Sequence, residues 1–246
     1  MATTKLIADH LDIPVLYRDA CLAIVNKPAG LMAHASPMAR GEDDFLVDRL
    51  REQFAAPVHL VHRLDRATSG CLLIAFDREI AAALGRVFMS REVRKDYLAV
   101  CRGWPPERLR VDHPLDGGPG KPDKKPAVTE IQRLATAEIA LPSAQHPTSR
   151  YALLKCSPET GRYRQIRRHL KHLSHHLVGD SSHGDGRHNR SFRMLGVHRM
   201  LLHAWRLQFA HPIDSRMLTT IAPWDAEWAK AMRLLGWPDE VVDQPA

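Results

Sequence analysis

The sequence predicts an α+β or mixed-sheet fold. Strand-type and helix-type segments alternate irregularly along the chain, which is typical of this class. The chain has 246 residues, of which 44% are hydrophobic, so it can bury one sizeable core. We therefore expect one domain over residues 1–246, with its core at about 14–237.

The first elements are strands. Leu16–Val25 is typical of two short strands around a turn at Asp19, and the turn-forming stretch Asn26–Gly30 follows as a loop. Cys71–Phe76 is a continuous apolar run, as expected of a strand buried on both faces, and Asp77 can cap the helix after it. In that helix, apolar residues recur at spacings of three and four: Ile80, Ala83, Leu84, Val87 and Phe88.

The middle of the chain predicts three more strands, at Tyr97–Cys101, Thr129–Leu134 and Tyr151–Cys156. Residues 104–128 contain six prolines and three glycines, so we expect an irregular surface insertion there.

Two helices are predicted in the last third. Gln165–Leu173 has helical spacing of its apolar residues. The final helix begins at about Asp225 and ends at Leu235, with Trp228 and Met232 facing inward. Residues 239–246 are expected to fray.

The positive charge is concentrated in residues 161–206, which we call the basic segment. It holds ten Lys and Arg against two Asp, in a chain whose formal net charge is +7. Eight of the fifteen histidines also lie there. A confined basic face favours a phosphate backbone as partner, although a solvated charged face is the alternative.

The N-terminus lacks the features of a signal peptide, and no apolar run reaches the length of a membrane span. We therefore expect a cytoplasmic protein without a membrane partner. The four cysteines are widely spaced, with no C-x-x-C pair, so we interpret them as reduced packing residues.

The most informative motif is HRLDRATSG at His62–Gly70, directly before the predicted buried strand. Arg63 and Arg66 flank Asp65, which favours an ionised carboxylate in a partly shielded site. Such a carboxylate suits attack on carbon or removal of a proton. The alternative for an isolated Asp is an Asx-type turn of the loop, capped by Thr68 and Ser69.

This motif, with KDYLA at Lys95–Ala99 and TGRYRQIR at Thr160–Arg167, resembles the signature of the RluA family of pseudouridine synthases. The NKPAG segment at Asn26–Gly30, together with His34, is similar to a further motif of that family. The order and approximate spacing agree over most of the chain.

The resemblance implies three catalytic residues. Asp65 is the essential carboxylate, either as a nucleophile or as a base that removes a sugar proton. Tyr97 stacks on the extruded uracil, whereas without the motif it is a core tyrosine of a strand. Arg167 pairs with Asp65 and keeps it charged and aimed.

The resemblance also implies residues that contact the RNA. Arg63 either fills the gap left by the flipped nucleotide or contacts a phosphate. The other expected substrate contacts are His62, Arg66, Thr68, Gln165 and Leu202. The expected contacts to the RNA backbone are Lys27, Arg162, Arg164, Arg168 and Lys171. At Tyr163-Arg164 the sequence departs from relatives that have a histidine before the glutamine, which leaves the further contacts of Arg167 open.

The family fold implied is a mixed, mostly antiparallel central sheet with flanking helices and a central RNA-binding cleft. The implied chemistry uses no cofactor and no metal. Three segments resemble the family members that modify uridine 65 in the T stem of tRNA: Pro126–Thr129, Gly179–Asp185 and His188–Arg190. We expect tRNA as partner, no separate N-terminal RNA-binding domain and no obligate protein partner.

Four alternatives are weighed against this interpretation. A ribosomal RNA or dual-substrate synthase would share the catalytic motifs, and a non-catalytic RNA-binding protein could dispense with Asp65 and Tyr97. A zinc hydrolase is disfavoured because His172–His176 has no glutamate between its histidines. A serine hydrolase is disfavoured because Thr68-Ser69-Gly70 lacks the first glycine of a nucleophile elbow.

Overall fold

A computed structural model describes residues 12–34, 41, 43–90, 92–142 and 146–242 of the chain. The expectation about the N-terminus falls on residues that lie outside these ranges. So does the last part of the tail expected to fray, residues 243–246.

Within the described ranges, ten strands join in one sheet. In chain order they are β1 Val15–Arg18, β2 Leu22–Lys27, β3 His59–Leu60, β4 Ser69–Ala75, β5 Arg94–Arg102, β6 Arg108–Asp112, β7 Val128–Ile139, β8 Ser149–Pro158, β9 Leu202–Ala210 and β10 Met217–Ile221.

Five α-helices and a short 3-10 turn occur in the described ranges. They are α1 Leu46–Phe54, α2 Arg78–Ser90, α3 Gln165–His172, α4 Gly186–Met194, α5 Ala226–Leu234 and the 3-10 turn Asp239–Val241. In the part of the chain that the structure describes, no helix has both the length and the apolar character needed to cross a bilayer.

The sheet is mixed and mostly antiparallel, as predicted. Its main path runs β1-β2-β4-β9-β5-β8-β7-β6, with β10 beside β9 and β3 beside β4. The one parallel pairing of these strands joins β4 to β9 at Ser69 and Gly70. It brings the end of the HRLDRATSG motif to the middle of the sheet.

Helices cover both faces of the sheet, because the central strands are apolar on both sides. In the half built from β2 and β4, α1 packs on one face and α2 on the other. In the half built from β5 and β8, α3 packs on one face and α4 with α5 on the other. The structure therefore confirms the α+β class.

Several sequence-predicted elements are confirmed. β1 and β2 form a hairpin around Asp19, and Asp77 caps α2 by accepting the amides of Glu79 and Ile80 at 2.7 and 3.2 Å. Asp225 caps α5 by accepting the amide of Trp228 at 2.9 Å.

Two predictions were wrong. Residues 104–128 are not wholly irregular, because β6 lies between the prolines and pairs with β7 through five residues. The tail does not fray from residue 239, because Asp239–Val241 forms a 3-10 turn and Val242 is buried in the core. In residues 104–128 strand pairing outweighs the effect of the prolines. In the tail, burial of Val242 outweighs the effect of the polar residues.

Candidate functional site

The loop that carries Asp65 is tied to the loop after β2. The amide of Gly30 donates to the carbonyl of Arg66 at 2.8 Å, and Arg66 Nε returns a bond to the Gly30 carbonyl at 2.8 Å. A tight turn closes the loop, since the Thr68 amide donates to the Asp65 carbonyl at 3.0 Å. Backbone hydrogen bonds therefore fix the position of Asp65.

Lys27 supports the same loop from below. Its side chain is fully buried, and its Nζ donates to the carbonyls of Pro28, Arg66 and Thr68 at 2.7, 3.1 and 2.9 Å. The pKa of Lys27 is lowered to about 7, chiefly by burial and also by the charge of Arg199, while Asp65 opposes this shift. Three carbonyl acceptors match the three N–H groups of the ammonium form.

The start of β4 is fixed to β9 by close packing and by a buried polar chain. Gly70 has a φ of +109°, and a Cβ there would lie 2.2 Å from the Ala204 carbonyl oxygen, so glycine is required. Ser69 Oγ lies 2.7 Å from His203 Nδ1 and accepts from Arg199 Nη2 at 2.7 Å. These contacts hold the strand that follows the motif.

Arg167 joins two carboxylates. Its Nη1 donates to Asp65 Oδ2 at 2.7 Å, while Nε and Nη2 donate to the two oxygens of Asp180 at 2.6 and 2.8 Å. The side chains of Arg167 and Asp180 are 6% and 0% exposed, whereas that of Asp65 is 27% exposed. Asp180 therefore anchors the guanidinium, and the guanidinium aims the accessible carboxylate.

Asp180 is suited to this anchoring role. Burial alone would raise its pKa, but hydrogen bonds from Arg167 and from the amides of Ser182 and His183 lower the net pKa. Those amides donate to Asp180 Oδ1 at 2.8 and 2.9 Å. An ionised Asp180 keeps the Arg167 side chain in a single orientation.

Tyr97 lies on β5 beside this pair. It packs against two of the apolar clusters that line the sheet, one of which contains Leu202. Burial raises the pKa of Tyr97, and the charge of Asp65 raises it further. The phenol is therefore protonated, and it lies within electrostatic range of Asp65.

The structure thus brings Asp65, Tyr97, Arg167 and Leu202 together. The irregular register between β5 and β9 occurs at Asp96 and Tyr97. Such irregularities re-aim side chains and occur often beside active sites. The arrangement offers a positioned carboxylate, a protonated phenol and an apolar wall.

Three predicted substrate contacts are structural instead. Gln165 is buried. Its side-chain nitrogen donates to the Val128 carbonyl and the Thr129 hydroxyl, and its side-chain oxygen accepts from the Thr160 hydroxyl. Thr68 is 2% exposed, so its side chain does not reach a ligand.

His62 is the third. Its Nε2 accepts the Leu73 amide at 3.0 Å, and its ring stacks on Phe88 at 4.7 Å. Burial lowers the pKa of His62 to about 3, so the ring is neutral. His62 therefore fixes the loop to β4 and α2, while Arg63 and Arg66 beside it are exposed.

The predicted RNA-backbone residues divide into two groups. In the first group Lys27 is buried under the loop, and Arg168 donates to the carboxylate and carbonyl oxygens of Asp116 at 2.6 and 3.0 Å, so both side chains bind protein groups and not RNA. In the second group Lys171 is exposed, whereas Arg162 and Arg164 are half-buried, and Arg162 Nε donates to the Pro126 carbonyl at 3.0 Å.

Sequence reasoning missed Asp180, Arg199 and the supporting role of Lys27. Asp180 lies in a segment already noted for its family resemblance, but the motif does not reveal that it binds Arg167. Arg199 stood out only as one charge among the ten of the basic segment.

Replacing Lys27 with Met tests its supporting role. We expect the free energy of unfolding to fall by about 2–3 kcal/mol, because three buried carbonyls lose their donor. Urea unfolding followed by tryptophan fluorescence measures this. The salt dependence of RNA binding should not change, and a lower salt slope in the Lys27 variant would restore the phosphate-contact interpretation.

Comparison with known proteins agrees with the geometry. The family model described as RNA pseudouridylate synthase matches residues 22–172. A tRNA pseudouridine synthase C of Salmonella typhimurium is 40% identical over 235 residues, covering 92% of this chain and 90% of that protein. The enzyme of the same name from Pasteurella multocida is 40% identical over 237 residues, covering 92% and 98%. The chain spans only 62% of a third such relative, from Pectobacterium carotovorum.

A solved structure shares the fold. The human RNA pseudouridylate synthase domain containing 4 aligns with a TM-score of 0.71 at 24% identity, covering 91% of this chain and 93% of that one. The family match spans more than half of the chain and includes Asp65, Tyr97 and Arg167. The chain therefore belongs to the RNA pseudouridylate synthase family.

Proposed function

We propose that this protein isomerises a uridine of tRNA to pseudouridine, at position 65 in the T stem, with Asp65 as the catalytic carboxylate. The observation that carries the proposal is the pair of Asp65 and Arg167, 2.7 Å apart, with Arg167 anchored by buried Asp180. The relatives named tRNA pseudouridine synthase C support tRNA as the substrate.

The reaction breaks the bond from C1′ to N1, turns the uracil and forms the bond from C1′ to C5; C5 then loses its proton and N1 takes one up. Asp65 acts as the nucleophile or as the base, and both roles need an ionised, aimed oxygen. Arg167 fixes the orientation of the Asp65 carboxylate by its hydrogen bond. Tyr97 offers its ring to the uracil, and its protonated hydroxyl carries no charge that would repel Asp65.

The uridine must leave its stem before Asp65 can reach it. Extrusion of a base costs a few kcal/mol, and a guanidinium stacked in the gap offsets part of that cost. Arg63 is exposed two residues before Asp65 and is suited to this role. Arg66, also exposed, is placed to contact the same nucleotide or its neighbour.

The RNA backbone is proposed to lie in a cleft along the basic segment. Lys171 is exposed there, and Arg162 and Arg164 are half-buried in the same segment. The chain then works as one catalytic domain, in the cytoplasm, where its tRNA substrate is found, and no bound cofactor enters the chemistry.

Replacing Lys171 with Ala tests the basic face. We expect weaker RNA binding at every sequence and a salt slope reduced by about 1, because one phosphate contact is lost. Filter binding at several salt concentrations measures both. Lys230→Ala is the matched control, since Lys230 is also exposed but lies outside the basic segment, on α5. An equal effect in the two variants would contradict the placement.

Mapping of pseudouridine tests the proposed function. Unmodified tRNA and ribosomal RNA are incubated separately with the wild-type protein and with Asp65→Asn. A new pseudouridine at position 65 of tRNA, absent with the variant, is the expected result. Modification of ribosomal RNA alone would keep the chemistry and overturn the substrate, and no product on either RNA would favour a binding protein.

A further inference from the structure

We propose that Asp19, Cys21 and His211 form a binding site for one divalent zinc ion, at the end of the sheet opposite the candidate active site. Asp19 and Cys21 lie in the turn between β1 and β2, and His211 begins the turn between β9 and β10. The three side chains come from segments about 190 residues apart. We call them the zinc-ligand group.

The spacing of the ligand atoms fits a tetrahedral zinc ion. Cys21 Sγ lies 3.6 Å from His211 Nε2 and 3.3 Å from Asp19 Oδ1, and His211 Nε2 lies 3.0 Å from Asp19 Oδ2. Zinc binds sulfur at about 2.3 Å and nitrogen or oxygen at about 2.0–2.2 Å, so tetrahedral ligands are about 3.3–3.6 Å apart. Two of the three distances already fall in this range, and a water would take the fourth position.

A second observation supports a metal ligand at His211. Its other ring nitrogen, Nδ1, lies 3.0 Å from Asp214 Oδ1. Histidines that bind metals commonly donate this second N–H to a carboxylate, which fixes the tautomer and the ring orientation. The ring is 6% exposed and is therefore held with Nε2 toward Asp19 and Cys21.

The surrounding groups balance the charge of the ion. Two carboxylates and a Cys21 thiolate carry three negative charges, which Zn²⁺ and Arg216 neutralise. Arg216 lies 3.6 Å from Asp19 Oδ2 and 3.2 Å from Asp214 Oδ2, with a half-exposed side chain. Tyr17 donates its hydroxyl to Asp19 Oδ2 at 2.6 Å and orients the carboxylate. The thiol proton of Cys21 passes to solvent when zinc binds.

The site lies far from Asp65. Cys21 and Lys27 stand at opposite ends of β2, and six residues of strand span about 20 Å. The ion would join the β1–β2 turn to the β9–β10 turn. Leu22 of β2 and Phe209 of β9 already pack in the same apolar cluster. Zinc binding is therefore separable from catalysis at Asp65.

Titration with Co²⁺ tests the proposal. The full-length untagged protein, freed of metal with a chelator, is expected to bind one Co²⁺ with the visible absorption of a tetrahedral ion and a thiolate charge-transfer band, and Zn²⁺ should abolish both. Cys21→Ser should lose the charge-transfer band, and His211→Gln should lose binding. Asp214→Asn should weaken binding about 10–100-fold at unchanged stoichiometry.

His198→Gln, at an exposed histidine outside the zinc-ligand group, is the control and should bind like the wild type. Pseudouridine formation by Cys21→Ser should match the wild type, and a loss there would overturn the separation from catalysis. A wild-type spectrum no different from that of Cys21→Ser would overturn the site. So would stoichiometric tetrahedral binding that persists in both Cys21→Ser and His211→Gln.

Discussion

Replacing Asp65 with Asn is expected to lower the rate of pseudouridine formation by about 1,000-fold or more, with RNA affinity unchanged. An amide has nearly the shape of the carboxylate but is neither a nucleophile nor a base of useful strength. Arg167 keeps its bidentate partner Asp180 in this variant, so the guanidinium is not left unpaired. The loss is therefore chemical and not structural.

Single-turnover kinetics with saturating enzyme separates the chemical step from binding. Asp112→Asn is the matched control, because Asp112 lies exposed at the end of β6, and it should retain full activity. Urea unfolding should give similar free energies for Asp65→Asn and the wild type. Activity of Asp65→Asn near that of the wild type would assign the catalytic carboxylate to another residue.

Strand β4, which follows the HRLDRATSG motif, could be predicted because Cys71–Ala75 is apolar without interruption. β4 is buried over all seven residues, and its run of apolar letters is visible in the sequence. Helix α5 was predicted for a similar reason, since Trp228 and Met232 repeat at helical spacing behind the cap at Asp225. In these segments local pattern and burial agree.

Other elements could not be predicted in the same way. Helix α4 buries His188 and Asn189 beside Phe192, so the buried face is polar and gives no apolar period. The ring nitrogen Nδ1 of His188 lies within hydrogen-bond distance, 2.7 Å, of the hydroxyl of Tyr151, which is 37 residues away in the chain. Strand β9 buries both faces and contains Arg206, which binds the buried carboxylate of Asp96. Long-range partners make these polar residues suitable for burial, and sequence does not show them.

The same limit applies to the site. The family motifs placed Asp65, Tyr97 and Arg167 in one site, and the structure brings them together. The motifs also made Lys27 a contact to RNA, whereas the fold buries it beneath the loop. A charged residue in a motif has the same appearance whether it binds a ligand or three backbone carbonyls, and only the fold distinguishes the two.

Replacing Arg167 should separate its effects on stability and on catalysis. In Arg167→Met, the fully buried Asp180 loses its charged partner, so we expect the free energy of unfolding to fall by about 3–5 kcal/mol and activity to be lost. In Arg167→Lys, one ammonium replaces a guanidinium that reaches two carboxylates. Buried Asp180 should retain that ammonium, and Asp65 should lose its partner. The rate should then fall by about 100-fold, with a smaller loss of stability.

The double variant Arg167→Met/Asp180→Asn distinguishes anchoring from general damage to the fold. The amide introduced by Asp180→Asn keeps an oxygen for the backbone N–H groups of Ser182 and His183 but carries no charge, so removing both charges should recover most of the stability lost in Arg167→Met. Urea unfolding measures the recovery, and single-turnover kinetics measures the rate. Activity should not return, because Asp65 still lacks the guanidinium that aims it. Recovery of activity together with stability would mean that Arg167 serves only to neutralise Asp180.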